Sequence, residues 1–565
     1  MRVGLGQFDA TVGDLVGNAE KMRNIYAQAL RADVDLLAFP ELAICGYPPE
    51  DLLFKRHFLE ENGLAIEKLA IDCPNKTIVV GFAGSYQGNT YNSAAVLQNG
   101  RIAKIYRKGV LPNFSVFDEQ RYFQPGNEPI VINIKGLDIA LTICFDIWNI
   151  EWLSNFLKDI GQSVLRSTTK DEIQMVLNIS ASPFHLGKIN KREEIVSQCA
   201  KVFNCAVAYC NLVGGQDELV FDGRSMFADS TGKVIAKAKA FDEDLLIADV
   251  IPTIDGAVRV EPMRPAAEQP ANFLDEVYQA LILGTRDYAW KNGFKKALLG
   301  ISGGIDSSVT AAIAVAALGA ENVTCLTMPS KFNSPETIKD AARLAKNLGV
   351  ELLTIPIEPI LGQFHESLKT APGWDNRGIA YENLQARIRG TILMSLSNQF
   401  GSLVLTTGNK SETSVGYATL YGDTAGGFAV IKDVPKTMVY KLAEHINKIQ
   451  GRKIIPADVI TRPPSAELKP GQKDTDSLPD YDLLDKILKG YVEEDKSAKH
   501  LIELGLPKDV VHNVIRMVDR NEYKRRLCPP GVRITPKAFG KDRRLPITNH
   551  YSTSMDDGRW TMDDG

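Results

Sequence analysis

Residues 300–308 read Gly300-Ile301-Ser302-Gly303-Gly304-Ile305-Asp306-Ser307-Ser308, set between an apolar run and an amphipathic one. Ala297-Leu298-Leu299 reads as the end of a buried strand and residues 309–318 as a helix, so the glycines occupy a strand-to-helix turn. Gly303 and Gly304 let the backbone approach an anion without interference from a Cβ. Their N–H groups, the hydroxyls of Ser302, Ser307 and Ser308, and the helix N-terminus bring partial positive charge to one spot. Asp306 is the odd member, because a carboxylate beside polyphosphate is repulsive unless a cation such as Mg²⁺ lies between them. The turn therefore predicts a magnesium–nucleotide site. Its pattern is neither GxGxxG nor the Walker GxxxxGK[ST].

Beyond this turn, strand and helix alternate. Residues 323–328, 352–357 and 403–407 read as strands. Residues 335–348 and 381–396 read as helices, the first with Ser334 as N-cap and Pro335 at its first position. This is the pattern of a doubly wound parallel sheet, Rossmann-like in outline. Thr406-Thr407-Gly408-Asn409-Lys410-Ser411-Glu412 repeats the strand-end arrangement of hydroxyls, a glycine and an acid. Thr407 is placed to contact ATP and Glu412 to share Mg²⁺ with Asp306, since two carboxylates in one anion-binding crevice call for a cation. The stretch holding Gly416, Gly422, Gly426 and Gly427 has few large apolar residues and reads as a mobile lid.

Before the turn, residues 273–291 read as a helix, and Pro262, Pro265 and Pro270 mark a boundary over 261–272. Residues 1–260 show short strands (3–8, 35–39, 77–82, 137–143, 175–179 and 206–210) interspersed with helices at 20–30 and 193–202. Asn99-Gly100, between 93–98 and 101–106, is a type I′ hairpin signal, and Ser230-Thr231-Gly232 suggests another turn. Antiparallel pairs mixed with βα units predict an α/β layered fold. Three polar residues stand where strands run out: Glu41, Lys108 and Cys144. A cysteine at its free pKa is mostly thiol, so it needs a base or a positive neighbour. Glu41 can act as the base and Lys108 as the cation that stabilises an oxyanion. A Cys–His pair would depend on His185 alone, the one histidine in 58–200.

These segments carry resemblances. The 300–308 loop resembles the SGGxDS loop of the N-type ATP pyrophosphatases, which adenylate a substrate and release pyrophosphate. Leu37-Ala38-Phe39-Pro40-Glu41-Leu42, Tyr106-Arg107-Lys108-Gly109-Val110-Leu111-Pro112 and Cys144-Phe145-Asp146-Ile147-Trp148 resemble the three catalytic segments of the nitrilase (carbon–nitrogen hydrolase) superfamily. That resemblance implies an αββα sandwich with a Glu, Lys, Cys triad, and Glu119 matches a second glutamate that supports the lysine. Many members have Glu after the nucleophile, where this chain has Phe145. Residues 178–188 resemble the segment that reads the amino-acid end of the substrate in glutamine-hydrolysing members. This makes Ser182 and Lys188 candidates for binding glutamine, with Phe114 where relatives often have Tyr, and relieves His185 of a catalytic role.

The second half resembles the NAD synthetase family, whose substrate deamido-NAD⁺ is adenylated on its carboxylate and then attacked by ammonia. By that resemblance Asn383, Glu412 and Lys524 contact the dinucleotide. The domains implied are a glutaminase over 1–260, a linker over 261–272, a synthetase over 273–548 and a tail from 549, with residues 550–565 poorly ordered. The resemblance also implies a homo-oligomer, an octamer among its sizes. Glutamine, ATP and deamido-NAD⁺ are the substrates implied. The rivals are a stand-alone amide hydrolase with a degenerate nucleotide domain, another adenylating amidotransferase or thiolation enzyme acting on a nucleobase or tRNA, and a non-enzymatic scaffold.

Composition narrows the choice. The 565 residues are 44% hydrophobic and 24% charged, ordinary for a soluble globular chain of several domains. A net charge of −4 argues against nucleic acid as a partner. The N-terminus opens as a strand with no basic segment leading into an apolar one, and the apolar stretch at 309–318 is too short for a bilayer. Eight cysteines without a CxxC pair and seven scattered histidines predict a reduced, cytoplasmic protein with no structural zinc.

Overall fold

Period-two alternation over residues 36–38, 78–80 and 94–97 sends successive residues into two different cores. The strands are β1 (Arg2–Gln7), β2 (Leu36–Ala38), β3 (Thr77–Tyr86), β4 (Asn89–Gln98), β5 (Arg101–Arg107), β6 (Val131–Ile134), β7 (Leu137–Ile143), β8 (Met175–Ser180), β9 (Ala206–Asn211), β10 (Val213–Gln216), β11 (Leu219–Asp222), β12 (Met226–Ala228), β13 (Val234–Lys237), β14 (Asp244–Pro252) and β15 (Val258–Pro262). One sheet has the order β15-β14-β1-β2-β3-β4-β5, a second β13-β12-β9-β8-β7-β6, and β10-β11 form a separate hairpin. Leu36 and Ala38 of β2 pack with Ile139 and Val176 of the second sheet. Leu37, between them, faces the other way onto Met22 and Leu69. Helices Leu15–Arg31 and Arg56–Asp72 thus cover one side, while Lys188–Phe203 adds Val196 and Cys199 on the other. The layers run helix, sheet, sheet, helix.

The computed structural model describes residues 1–163, 173–254, 256–375, 378–549 and 551, so apart from Tyr551 the stretch 550–565 lies outside the described residues. Its two compact units are Met1–Ala271 and Asn272–Gly565. Asn99 and Gly100 have φ of 51° and 75°, as a type I′ turn requires. Strand β4 starts four residues before the hydrophobic signal, because 89–92 pair with β3 through backbone bonds that side-chain polarity does not report. The last strand also runs into the stretch read as linker. Pro262 lies opposite Ala248 on the edge strand β15, where a missing N–H removes no ladder bond.

In the second unit β16 (Ala297–Gly300), β17 (Val323–Thr327), β18 (Glu351–Thr354), β19 (Leu403–Thr406) and β20 (Phe428–Ala429) form a parallel sheet in the order β18-β17-β16-β19-β20. The winding direction reverses between β16 and β19, which opens a crevice beyond their carboxyl ends. Helices Phe273–Lys291, Ile305–Leu318, Pro335–Leu348 and Gly378–Phe400 accompany the sheet, and the Ser334 side chain caps the third by accepting from Thr337 N. Helices Tyr481–Leu488, Ala498–Glu503 and Lys508–Arg520, none assigned from the sequence above, bury Leu484, Leu501 and Val514 in a cluster of their own. Among the described residues no helix is long and apolar enough to cross a membrane.

The turn after β2 passes close to β3. A Cβ on Gly81 would lie 2.4 Å from Pro40 O and 2.4 Å from Leu42 N, both backbone atoms that cannot swing aside. Gly81→Ala is therefore expected to cost about 1–3 kcal/mol by overpacking and to displace Glu41. Thermal unfolding checks the first effect and a crystal structure of the variant the second; a variant with native midpoint and an unmoved Glu41 contradicts this account.

Candidate active sites

Lys108 has no exposed side-chain surface, yet its ammonium is held by two carboxylates. Nζ donates to Glu41 Oε1 at 2.7 Å and to both oxygens of Glu119 at 2.8 Å. Glu41 also accepts from Asn92 Nδ2 at 2.7 Å and from Ala181 N at 2.8 Å, while Tyr47 OH donates to Glu119 at 3.2 Å. Burial alone would lower the lysine pKa; Glu119 and Glu41 outweigh it, and the ammonium stays charged. Burial pushes Glu119 up, to about 7, against the pull of Lys108.

Cys144 is buried at the end of β7 and opens the turn Cys144–Trp148 with φ of 44°, in the left-handed region where a side chain is strained. Burial pushes its thiol up, and the Glu41 carboxylate adds to this by charge and hydrogen bonding while Lys108 opposes it. The resting group is a thiol beside a carboxylate able to take its proton. Asp146, two residues on, holds the arrangement together. Its Oδ2 accepts from Ile143 N and Tyr106 OH, each at 2.8 Å, and its Oδ1 from Gly109 N at 3.1 Å and Val110 N at 2.8 Å. One carboxylate thus ties the residue before Cys144 to the two residues after Lys108. Burial lifts Asp146 to about 6 despite those donors.

Around this centre Ser182 is buried, its Oγ accepting from Arg192 Nε at 3.1 Å and its N–H donating to Asn211 Oδ1 at 2.9 Å. Arg192 is itself buried and paired with Asp222 Oδ1 at 2.6 Å. Phe114 is 53% exposed and meets Phe145 edge-on, while Lys188 lies over the Trp148 ring. His185 bonds within its own loop, its Nδ1 2.9 Å from Leu186 O. Sequence reasoning gave no role to Asn92, Asp146 or Arg192. Arg192 sits among Lys191, Glu193 and Glu194, which disguise it as part of a solvated helix face.

The second unit has a cavity of about 340 Å³ beyond β16 and β19, lined by the whole turn Gly300 to Ser307 together with Thr407 and Glu412. Gly303 has φ of 83° and a Cβ there would stand 2.1 Å from Thr337 O, so only glycine fits. Ser302 and Ser307 line the cavity and Ser308 does not; the hydroxyls of Ser307 and Ser308 both donate to Gly304 O, at 3.1 Å and 2.7 Å. Asn383 and Lys524 lie outside the cavity lining. They hold the 416–427 segment instead, Asn383 Oδ1 accepting from Thr419 Oγ1 at 2.9 Å and Lys524 Nζ donating to Gly416 O at 2.7 Å and Ala418 O at 3.0 Å.

Asp306 and Glu412 do come together, but the cation between them in the chain alone is Lys436. Its Nζ lies 2.5 Å from Asp306 Oδ2 and 2.9 Å from Glu412 Oε1, and Asn409 Nδ2 donates to Asp306 Oδ1 at 2.8 Å. Lys436 stays protonated because these carboxylates outweigh its burial, and burial pushes Glu412 up to about 7. Among the described residues no three His, Cys, Asp or Glu side chains form a metal-binding group. The two carboxylates facing the phosphate turn nevertheless suit Mg²⁺, which is ordinarily held by one or two carboxylates together with substrate phosphates.

Residues 2–255 match the carbon-nitrogen hydrolase family and residues 277–528 the NAD synthase family. The glutamine-dependent NAD(+) synthetase of Thermotoga maritima is 45% identical, with 98% of this chain and 100% of that one aligned. This chain belongs to the glutamine-dependent NAD(+) synthetase family. The Aquifex aeolicus member is 44% identical over 97% of this chain and 99% of its own. The solved glutamine-dependent NAD⁺ synthetase of Acinetobacter baumannii, in complex with ADP, superposes with a TM-score of 0.75 at 42% identity, covering 98% of this chain and 99% of that chain. The match over both units sets aside the stand-alone hydrolase and the scaffold.

Asp146→Asn puts an NH₂ where two backbone N–H groups, or one N–H and the Tyr106 hydroxyl, now donate. Glutamate release from glutamine is expected to fall about 10²-fold, the scale of a misplacement near 1 Å. Wild-type release by a folded variant would remove Asp146 from this role.

Proposed function

We propose that the chain converts deamido-NAD⁺ to NAD⁺ with ammonia taken from glutamine, Cys144, Glu41 and Lys108 serving one half-reaction and the cavity of the second unit the other. The observation that carries this reading is the charged Lys108, clamped by Glu41 and Glu119 beside a buried thiol. Glu41 takes the thiol proton as Sγ attacks the γ-amide carbon, and Lys108 faces the oxygen that becomes negative. Collapse breaks the C–N bond, Glu41 returns the proton to the leaving nitrogen, and a γ-glutamyl thioester and ammonia result. Water, deprotonated by Glu41, then cleaves the thioester to glutamate and restores the thiol. Ser182 and Lys188 bind the amino-acid end of glutamine, with Phe114 at its edge.

In the second unit the N–H groups of Gly303 and Gly304, the Ser302 and Ser307 hydroxyls and the N-terminus of helix Ile305–Leu318 hold the ATP phosphates, with Ile301, Ile305 and Thr407 completing the contact. Asp306 and Glu412 would hold Mg²⁺, which neutralises phosphate charge when bound. A carboxylate oxygen of deamido-NAD⁺ attacks the α-phosphorus and pyrophosphate leaves. Ammonia then attacks the acyl carbon, and AMP leaves as NAD⁺ forms. Asn383, Glu412 and Lys524 are assigned to the dinucleotide, the first and last acting beside the 416–427 segment they already bond. Eight free cysteines suit a reducing cytoplasm, and assembly as a homo-oligomer, up to an octamer, completes the proposal.

Cys144→Ala is expected to lose glutamine-driven NAD⁺ formation by at least about 10³-fold and to keep the ammonium-driven reaction. Product formation with each nitrogen donor in turn decides it. A variant that still uses glutamine, or a folded one that loses the ammonium reaction, sinks the division of labour. Asp306→Asn is expected to do the reverse, abolishing pyrophosphate release while glutamine hydrolysis persists. Pyrophosphate release at wild-type rate under limiting Mg²⁺ would remove Asp306 from the site.

A further inference from the structure

The nucleophile and the seat of Lys188 belong to one short element. Cys144 is the first residue and Trp148 the last of a five-residue 3₁₀ turn. Lys188 Nζ stands 4.2 Å from the centroid of the Trp148 ring. The turn is braced at its start by Asp146, which accepts from Ile143 N at 2.8 Å. At its end Trp148 lies parallel to Phe145, with 4° between the rings and 5.7 Å between centroids. Phe145 in turn meets Phe114 at 5.4 Å, and Phe114 meets Phe117 at 5.7 Å. A lysine at the start of a helix has four rotatable bonds; resting over an aromatic face removes much of that freedom before a substrate arrives. A 3₁₀ turn rises about 2.0 Å per residue, so Cys144 and Trp148 are separated by roughly 8 Å along its axis.

We propose that Trp148 is a length gauge: a positioning residue that fixes the Lys188 ammonium at a set distance from Cys144 Sγ. Glutamine, with its carboxylate on Lys188, then brings its amide carbon to the sulfur. Asparagine, one methylene shorter, stops short of it. The inference rests on Lys188 binding the substrate carboxylate, as proposed above.

The test uses the full-length protein with saturating ATP, Mg²⁺ and deamido-NAD⁺, and follows NAD⁺ formation with glutamine, asparagine or ammonium as donor for W148F, W148L and K188A. W148L is expected to raise the KM for glutamine about tenfold, the worth of a partly desolvated cation–π contact, with kcat changed less than about twofold. Its kcat/KM preference for glutamine over asparagine is expected to fall by a similar factor. W148F, which keeps an aromatic face, restores most of the KM, and the ammonium reaction of both Trp148 variants stays at wild-type rate, reporting an intact fold. A wild-type KM in W148L, a loss confined to kcat, or no gain in relative asparagine turnover would overturn the gauge. K188A separates the two ideas. A raised KM in K188A beside a wild-type KM in W148L refutes the gauge and leaves the anchor standing, whereas a wild-type KM in K188A refutes the anchor and the gauge with it.

Discussion

A buried ammonium shared by two carboxylates is the constraint on which the first unit depends. Removing Lys108 from water would neutralise it unless opposite charge lay within hydrogen-bonding reach, and breaking such a pair from one side costs about 3–5 kcal/mol. Glu41 and Glu119 supply that charge from segments 78 residues apart in the chain. Their own remaining lone pairs are met by Asn92, the Ala181 N–H and the Tyr47 hydroxyl. Each of these partners comes from a different segment, so the site is assembled only when the strands are. The same low-polarity setting that makes the cluster costly keeps Cys144 a thiol until a base acts on it.

The second unit uses a related arrangement for another purpose. Lys436 also lies between two carboxylates, Asp306 and Glu412, and is as buried as a lysine can be beside a cavity. The difference is access. Lys108 is sealed, whereas Lys436 lines the cavity, so its charge is available to a ligand while remaining compensated without one. A parallel sheet makes this arrangement possible, because the turns after β16 and β19 and the start of the helix Lys436–Ile449 meet where the strand order reverses.

Asp146 shows how a single carboxylate can carry geometry without chemistry. Four donors converge on it from β5, from the loop after Lys108 and from the end of β7. They hold the strained Cys144, at φ of 44°, in register with Lys108, the pair to which the proposed mechanism gives the nucleophile and the oxyanion contact. Strain at the reacting residue is thus balanced by bonds two residues away.

Much of this was legible in the chain. The turn Gly300 to Ser308 needs Gly303 at positive φ, hydroxyls at its rim and a helix behind it, and each requirement is local, so residue order alone specifies it. The same holds for Asn99-Gly100 and for the alternation of Leu36, Leu37 and Ala38 between two cores. Glu41, Lys108 and Cys144 were visible as polar residues at strand ends, but that they meet depends on the pairing of distant strands, which the resemblance implied and periodicity did not. Lys436, Arg192 and Asp146 stayed hidden because nothing beside them in sequence names their partners: Arg192 sits among charged residues, Asp146 within an apolar run and Lys436 just after a proline. Only the tertiary structure decides them: what gives each its role is a partner far away in the chain, brought within 3 Å by folding.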